Sequence, residues 1–174
     1  MNSAPPITSE SIGNEPGGRE PVSKGFGDGL LLFDADCPFC RHSVRWLLGH
    51  ERRDSQLRIA GLKSPVSRRL GEHFGLDFAG TDSIWFIAGG ELSRNSDAAW
   101  RLATRLEGSW RHISALRKVP RPLRESGYRF VGDHRHRLAF AGGERLEDHE
   151  RWLESLTSEL CRRCGLPPEL GDES

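Results

Sequence analysis

Leu30-Leu31-Leu32-Phe33-Asp34-Ala35-Asp36-Cys37-Pro38-Phe39-Cys40 joins an apolar run, an acidic link and two cysteines two residues apart. The run reads as a buried strand. Pro38 suits the first turn of a helix, because its missing N–H would find no partner there in any case. Phe39, Val44, Leu47 and Leu48 then give one apolar face and Arg41, His42 and Arg45 a polar one, so a helix is predicted from Pro38 to Leu48. Two thiols at this spacing can close a disulfide, and a cysteine capping a helix lies where unpaired backbone N–H groups favour a thiolate. A redox-active dithiol, one half of a zinc site and a pair of unreactive thiols are all compatible with the spacing. The strand-link-helix order favours the first, since a zinc knuckle usually sits on a turn between short strands.

Further along, Gln56 to Ala60 reads as a strand, and Pro65 to Phe74 as a helix with Val66, Leu70 and Phe74 on one side. Ser64 is its expected N-cap and Gly75 its stop. Ser83 to Ala88 is the clearest strand, turned by Gly89-Gly90 into a partner at Glu91 to Arg94. Ser96 and Asp97 are expected to cap a helix carrying Ala99, Leu102, Ala103 and Leu106. The order β-α-β-α-β-β-α is a thioredoxin-like succession. Short helices are then expected over His112 to Val119 and Leu123 to His136, and a last amphipathic helix through Leu146, Trp152, Leu153, Leu156 and Leu160, ended by Gly165, Pro167 and Pro168.

The 174 residues supply one domain plus tails. Lys plus Arg equals Asp plus Glu at 25 each, which gives no overall pull toward nucleic acid or an anionic membrane. No run of 18 apolar residues is present to span a bilayer. Met1 to Lys24 is rich in Pro, Gly, Ser and Glu and lacks the pattern of an export signal, so a cytoplasmic location is expected, where a dithiol is more often catalytic, sensing or metal-bound than structural.

Asp34, Cys37 and Cys40 match the Asp-x-x-Cys-x-x-Cys signature of the DCC family of thiol-disulfide oxidoreductases, which this chain resembles over about residues 29 to 140. Leu62-Lys63-Ser64, Asp82-Ser83-Ile84, Ser96-Asp97-Ala98-Ala99, Pro120, Leu123-Arg124, Tyr128 and Arg135 resemble further family segments in the same order. The chain departs from the family at Ala35, where a glycine is usual, and at His134, where an asparagine is usual. No proline precedes Ile84, where many thioredoxin-like proteins carry a cis-proline facing the dithiol. The resemblance implies an α/β fold, a thioredoxin-like three-layer sandwich with additional C-terminal helices. The expected division is a disordered arm over 1–27, the thioredoxin-like domain over 28–141, and an amphipathic helix and tail over 142–174.

In CxxC proteins the first cysteine is normally the more exposed. Cys37 is therefore expected to be the nucleophile, moderately acidified by the helix terminus, and Cys40 the resolving thiol. Asp34 is either a general base for Cys40 or a cap through its side chain, and Arg41 could reinforce the thiolate. The substrate is expected to be a protein or a low-molecular-weight disulfide or thiol, with a reductase or thiol pool regenerating the pair; no cofactor is required. Cys161-Arg162-Arg163-Cys164 repeats the spacing at the far end of a helix and is open to three readings: a second redox pair, the rest of a four-thiolate zinc site, or incidental thiols. Ten Lys or Arg residues against three acids between Arg101 and Arg137 could form a nucleic-acid surface, but a solvated face is favoured by the neutral total. Arg124 and Arg135 are expected to pair with Asp97 or another buried carboxylate.

Overall fold

The computed structural model describes residues 27–81, 83–134 and 145–172. Strand β1 (Gly27–Phe33) leads into helix α1 (Pro38–Gly49), strand β2 (Ser55–Gly61) and helix α2 (Pro65–Phe74). The hairpin of β3 (Trp85–Ala88) and β4 (Glu91–Arg94) then leads into α3 (Asn95–Ala103). The sheet order is β2-β1-β3-β4, with β1 and β2 parallel and the other two pairs antiparallel. A parallel β-α-β unit joined to a hairpin and a covering helix in this order is the thioredoxin-like open sandwich.

Alternation along β1 explains why the sheet carries helices on both faces. Leu30 and Leu32 point into a core shared with Val66 and Leu70 of α2, while Leu31 and Phe33 point into a second core with Val44 of α1 and Ala98 and Leu102 of α3. All four β1 residues are fully buried. At roughly 25 cal/mol per Å² of apolar surface removed from water, burying these four side chains is a substantial favourable contribution to folding.

Local signals place several boundaries. Ser64 Oγ accepts the N–H of Ser67 at the start of α2, and Gly75 closes that helix in the left-handed region (φ 65°). Gly89 and Gly90, at φ 60° and 76°, supply the two positive angles that a two-residue hairpin turn demands.

Other elements differ from expectation. Ser96 and Asp97 do not cap α3, whose first turn has no side-chain cap; both side chains instead reach helix α4 (Arg121–His134). The segment before α4 is a 3-10 helix, Gly108–Lys118. The last helix, α5, is confined to Ser158–Cys164, capped by Thr157 Oγ1 on the N–H of Leu160. Residues 151–153 lie instead along the β2 edge, where Ile59 N–H donates to Arg151 C=O at 3.0 Å and Leu153 N–H to Ile59 C=O at 2.9 Å. Leu146 and Leu156 are buried on opposite sides of the sheet, so their period matched a helix while they serve an extended segment that covers a sheet edge. The expected arm up to residue 27 and the helix extension to His136 fall almost wholly outside the described residues, as do Asp82 and Arg135.

Candidate active site

The link after β1 is a tight turn. Asp34 Oδ1 accepts the N–H of Asp36 at 3.0 Å, and Asp34 C=O accepts the N–H of Cys37 at 3.3 Å. Arg41 folds back from α1 to donate from Nη1 to Ala35 C=O at 2.9 Å. Its guanidinium therefore braces the turn by hydrogen bonding. Asp36 faces outward and pairs with Lys63 at 2.7 Å; that hydrogen bond and charge hold its carboxyl below the ordinary range.

Cys37 is the N-cap of α1 in extended conformation, and its Sγ accepts the N–H of Cys40 at 3.4 Å. The two free cysteines approach to 3.1 Å. Their exposure runs opposite to the expected order: Cys37 is 6% exposed, whereas Cys40 is half-buried. The reason is local, since Cys37 lies at the junction with the braced turn while Cys40, one turn on, faces a cavity between α1, α3 and α4. That cavity has a volume of about 470 Å³ and a predominantly apolar wall.

Cys161 and Cys164 are fully buried in the core on the α2 face, whereas Cys40 packs in the α1 face. The sheet stands between the pairs. Burial, the first cause, with Asp28 adding to it, pushes the Cys164 thiol up to about 12; burial also raises Cys161. Among the described residues no three His, Cys, Asp or Glu side chains converge as a metal-binding group, so the four sulfurs do not form one site.

The family-like residues of α3 and α4 form a clamp. Arg124 Nη2 donates to Asp97 Oδ1 at 2.5 Å, and Arg121 approaches Asp97 Oδ2 at 3.2 Å. Glu125 accepts from Asn95 Nδ2 and Ser96 Oγ, each at 2.9 Å. Tyr128 Oη accepts the N–H of Ile84 at 3.3 Å, which ties α4 to the entry of β3. The basic stretch is thus partly spent inside the molecule: Arg101 reaches Ser93 and Glu91, and Arg105 is buried with Nη1 on Ser55 Oγ at 2.9 Å. Sequence reading missed Glu125 and the cavity wall. Glu125 directly follows Arg124, but nothing in its local spacing indicates a tertiary partner some thirty residues earlier.

A paired dithiol at the start of the first helix of a thioredoxin-like sheet defines a thiol-disulfide oxidoreductase. The family model described as DCC1-like thiol-disulfide oxidoreductase matches residues 31–141, and the chain belongs to that family. An uncharacterised protein of Bacillus subtilis (strain 168), YuxK, is 30% identical over 108 residues, covering 62% of this chain and 78% of the relative. No solved structure matches the chain significantly.

Proposed function

We propose that Cys37 attacks the substrate disulfide and that Cys40 resolves the mixed disulfide. The observation carrying this reading is the N–H of Cys40 aimed at Cys37 Sγ at a helix start, in a cysteine pair that approaches to 3.1 Å. Amide hydrogens at a helix N-terminus accommodate an anionic sulfur. Attack by Cys37 forms a bond to one substrate sulfur and expels the other as thiolate; attack by Cys40 on Cys37 then closes the internal disulfide and releases the reduced substrate. Run in reverse, the same steps oxidise a dithiol. Asp34 acts as a positioning residue that holds the turn, and Arg41 supports it.

The substrate is a protein or low-molecular-weight disulfide or thiol, and a reductase or thiol pool of the cytoplasm resets the pair. No described helix is long and apolar enough to cross a membrane. Dithiothreitol-driven reduction of a chromogenic disulfide tests the assignment. Wild type should exceed the uncatalysed rate, and Cys37→Ser should return it to background with an unchanged circular dichroism spectrum. Full activity in Cys37→Ser would overturn the assignment.

A further inference from the structure

We infer that the substrate of this dithiol is a small disulfide carried on an uncharged, apolar body that seats in the cavity between α1, α3 and α4. The inference rests on the redox reading above and names the substrate class. At about 470 Å³ the cavity lies within the size range of small-molecule sites. Phe39 and Leu47 form its α1 wall, Leu102 of α3 and Leu106 just beyond that helix a second wall and Val131 part of its α4 wall, while Cys40 is also in the lining.

The chemistry of the lining selects against charge. Among the described residues it contains no Asp, Glu, Lys or Arg. Two of its polar side chains already serve the backbone: Ser43 Oγ donates to Phe39 C=O at 2.9 Å, and Tyr128 Oη accepts from Ile84 N–H. His42, which is exposed, and the indole of Trp46 are the other polar side chains of the described lining. A charged tripeptide disulfide seated here would find no cationic partner for its carboxylates among the described lining residues, and burying an unpaired charge is costly. An apolar body, by contrast, exchanges water for the same kind of surface.

In the forward reaction, R–S–S–R seats its body in the cavity and extends its S–S bond past Cys40 to Cys37, which does not itself line the cavity but accepts the Cys40 N–H at the start of α1. The Cys37 thiolate bonds to one substrate sulfur as the S–S bond breaks, and the departing RS⁻ takes up the proton that Cys37 released. Cys40, ionised in turn, attacks Cys37, closes the internal disulfide and expels the second RS⁻, which takes the proton from Cys40. Two electrons pass from the cysteine pair to the substrate, giving two RSH.

Single-turnover kinetics with the pre-reduced full chain test this. Dibenzyl disulfide and oxidised glutathione serve as probes, each rate being divided by that of free dithiothreitol with the same disulfide to remove leaving-group differences. The normalised rate for dibenzyl disulfide should exceed that for glutathione by about tenfold or more. Gly132→Phe adds a side chain to the lining where a Cβ meets nothing within 4 Å. It should lower the dibenzyl-to-glutathione ratio by about tenfold. Ala99→Trp, on exposed helix at the α3 wall, repeats the test should Gly132→Phe not fold. Equal normalised rates, or a ratio indifferent to the folded variant, would overturn the apolar substrate while leaving the oxidoreductase intact. Failure of both probes to react faster with wild type than with Cys37→Ser would overturn the redox reading and this inference together.

Discussion

Cys37 ends the link from β1 and caps α1, so its sulfur is held by the backbone geometry that starts the helix. Cys164 has the same neighbour spacing but sits at the other end of a helix, fully buried in the core, with a left-handed glycine beyond it and a thiol pushed up to about 12. Reactivity should divide accordingly. Brief alkylation of the native, reduced protein at neutral pH should modify the Cys37–Cys40 pair and spare Cys161 and Cys164, with all four labelled after denaturation; peptide mass mapping reads the outcome. Rapid native labelling of Cys164 would contradict its burial. Asp34 should behave as a turn residue. Asp34→Ala removes the acceptor for the Asp36 N–H and should cost about 1 kcal/mol in denaturant unfolding. A slower resolving step with unchanged stability would instead assign it as the base for Cys40.

Helix α4 is attached largely through polar contacts, with no fully buried residue of its own and with Leu123 and Phe130 65% and 64% exposed. Its hold on α3 therefore depends on Glu125 and the Asp97 ion pairs. Partial burial works to raise the Glu125 carboxyl, but hydrogen bonds from Ser96 and Asn95 outweigh it and keep the group below its ordinary value of 4.5. A lowered carboxylate contributes stability that is fully present above the ordinary value and lost as pH falls through the lowered one. Amide exchange in α4 should accordingly accelerate, relative to the rest of the chain, as the solution is taken from pH 6 to below about pH 4. Glu125→Gln should raise that exchange already at pH 6 and flatten its acid dependence. No change in either would show that α4 is held by other contacts.

The sheet divides the molecule into a reactive side and a structural side. Residues 145–172 belong to both: Leu146 joins the α1 face, whereas Leu156, Leu160, Cys161 and Cys164 complete the α2 face. Gly165 locks this segment to the hairpin. It lies at φ 76°, and a Cβ there would fall 2.4 Å from the nitrogen of Gly90. Gly90 N–H donates to Cys164 C=O at 2.7 Å. The raised Cys164 thiol makes global stability sensitive to alkali. Above the ordinary value of 9.0 the unfolded thiol ionises while the folded one stays protonated, so the unfolded state binds fewer protons and stability falls. The slope from this residue is at most about 1.4 kcal/mol per pH unit up to about pH 12. Denaturant midpoints of wild type and Cys164→Ala between pH 8 and 10.5 should converge as pH rises; parallel curves would remove Cys164 as the cause.

Spacing along the chain made the β-α-β-α-β-β-α order and the Cys37–Cys40 dithiol legible. Strand alternation, helical periodicity, Pro38 at a helix start and Gly89-Gly90 at a turn all act between near neighbours, so their physics is written locally. Packing between distant segments settled the rest. It turned the period of Leu146, Leu153 and Leu156 into an edge-covering segment, drew Ser96 and Asp97 away from capping, hid Cys37 more than Cys40, and set the two cysteine pairs on opposite faces of the sheet. Burial and partner choice depend on which surfaces meet across long sequence separations, and no local pattern encodes that meeting.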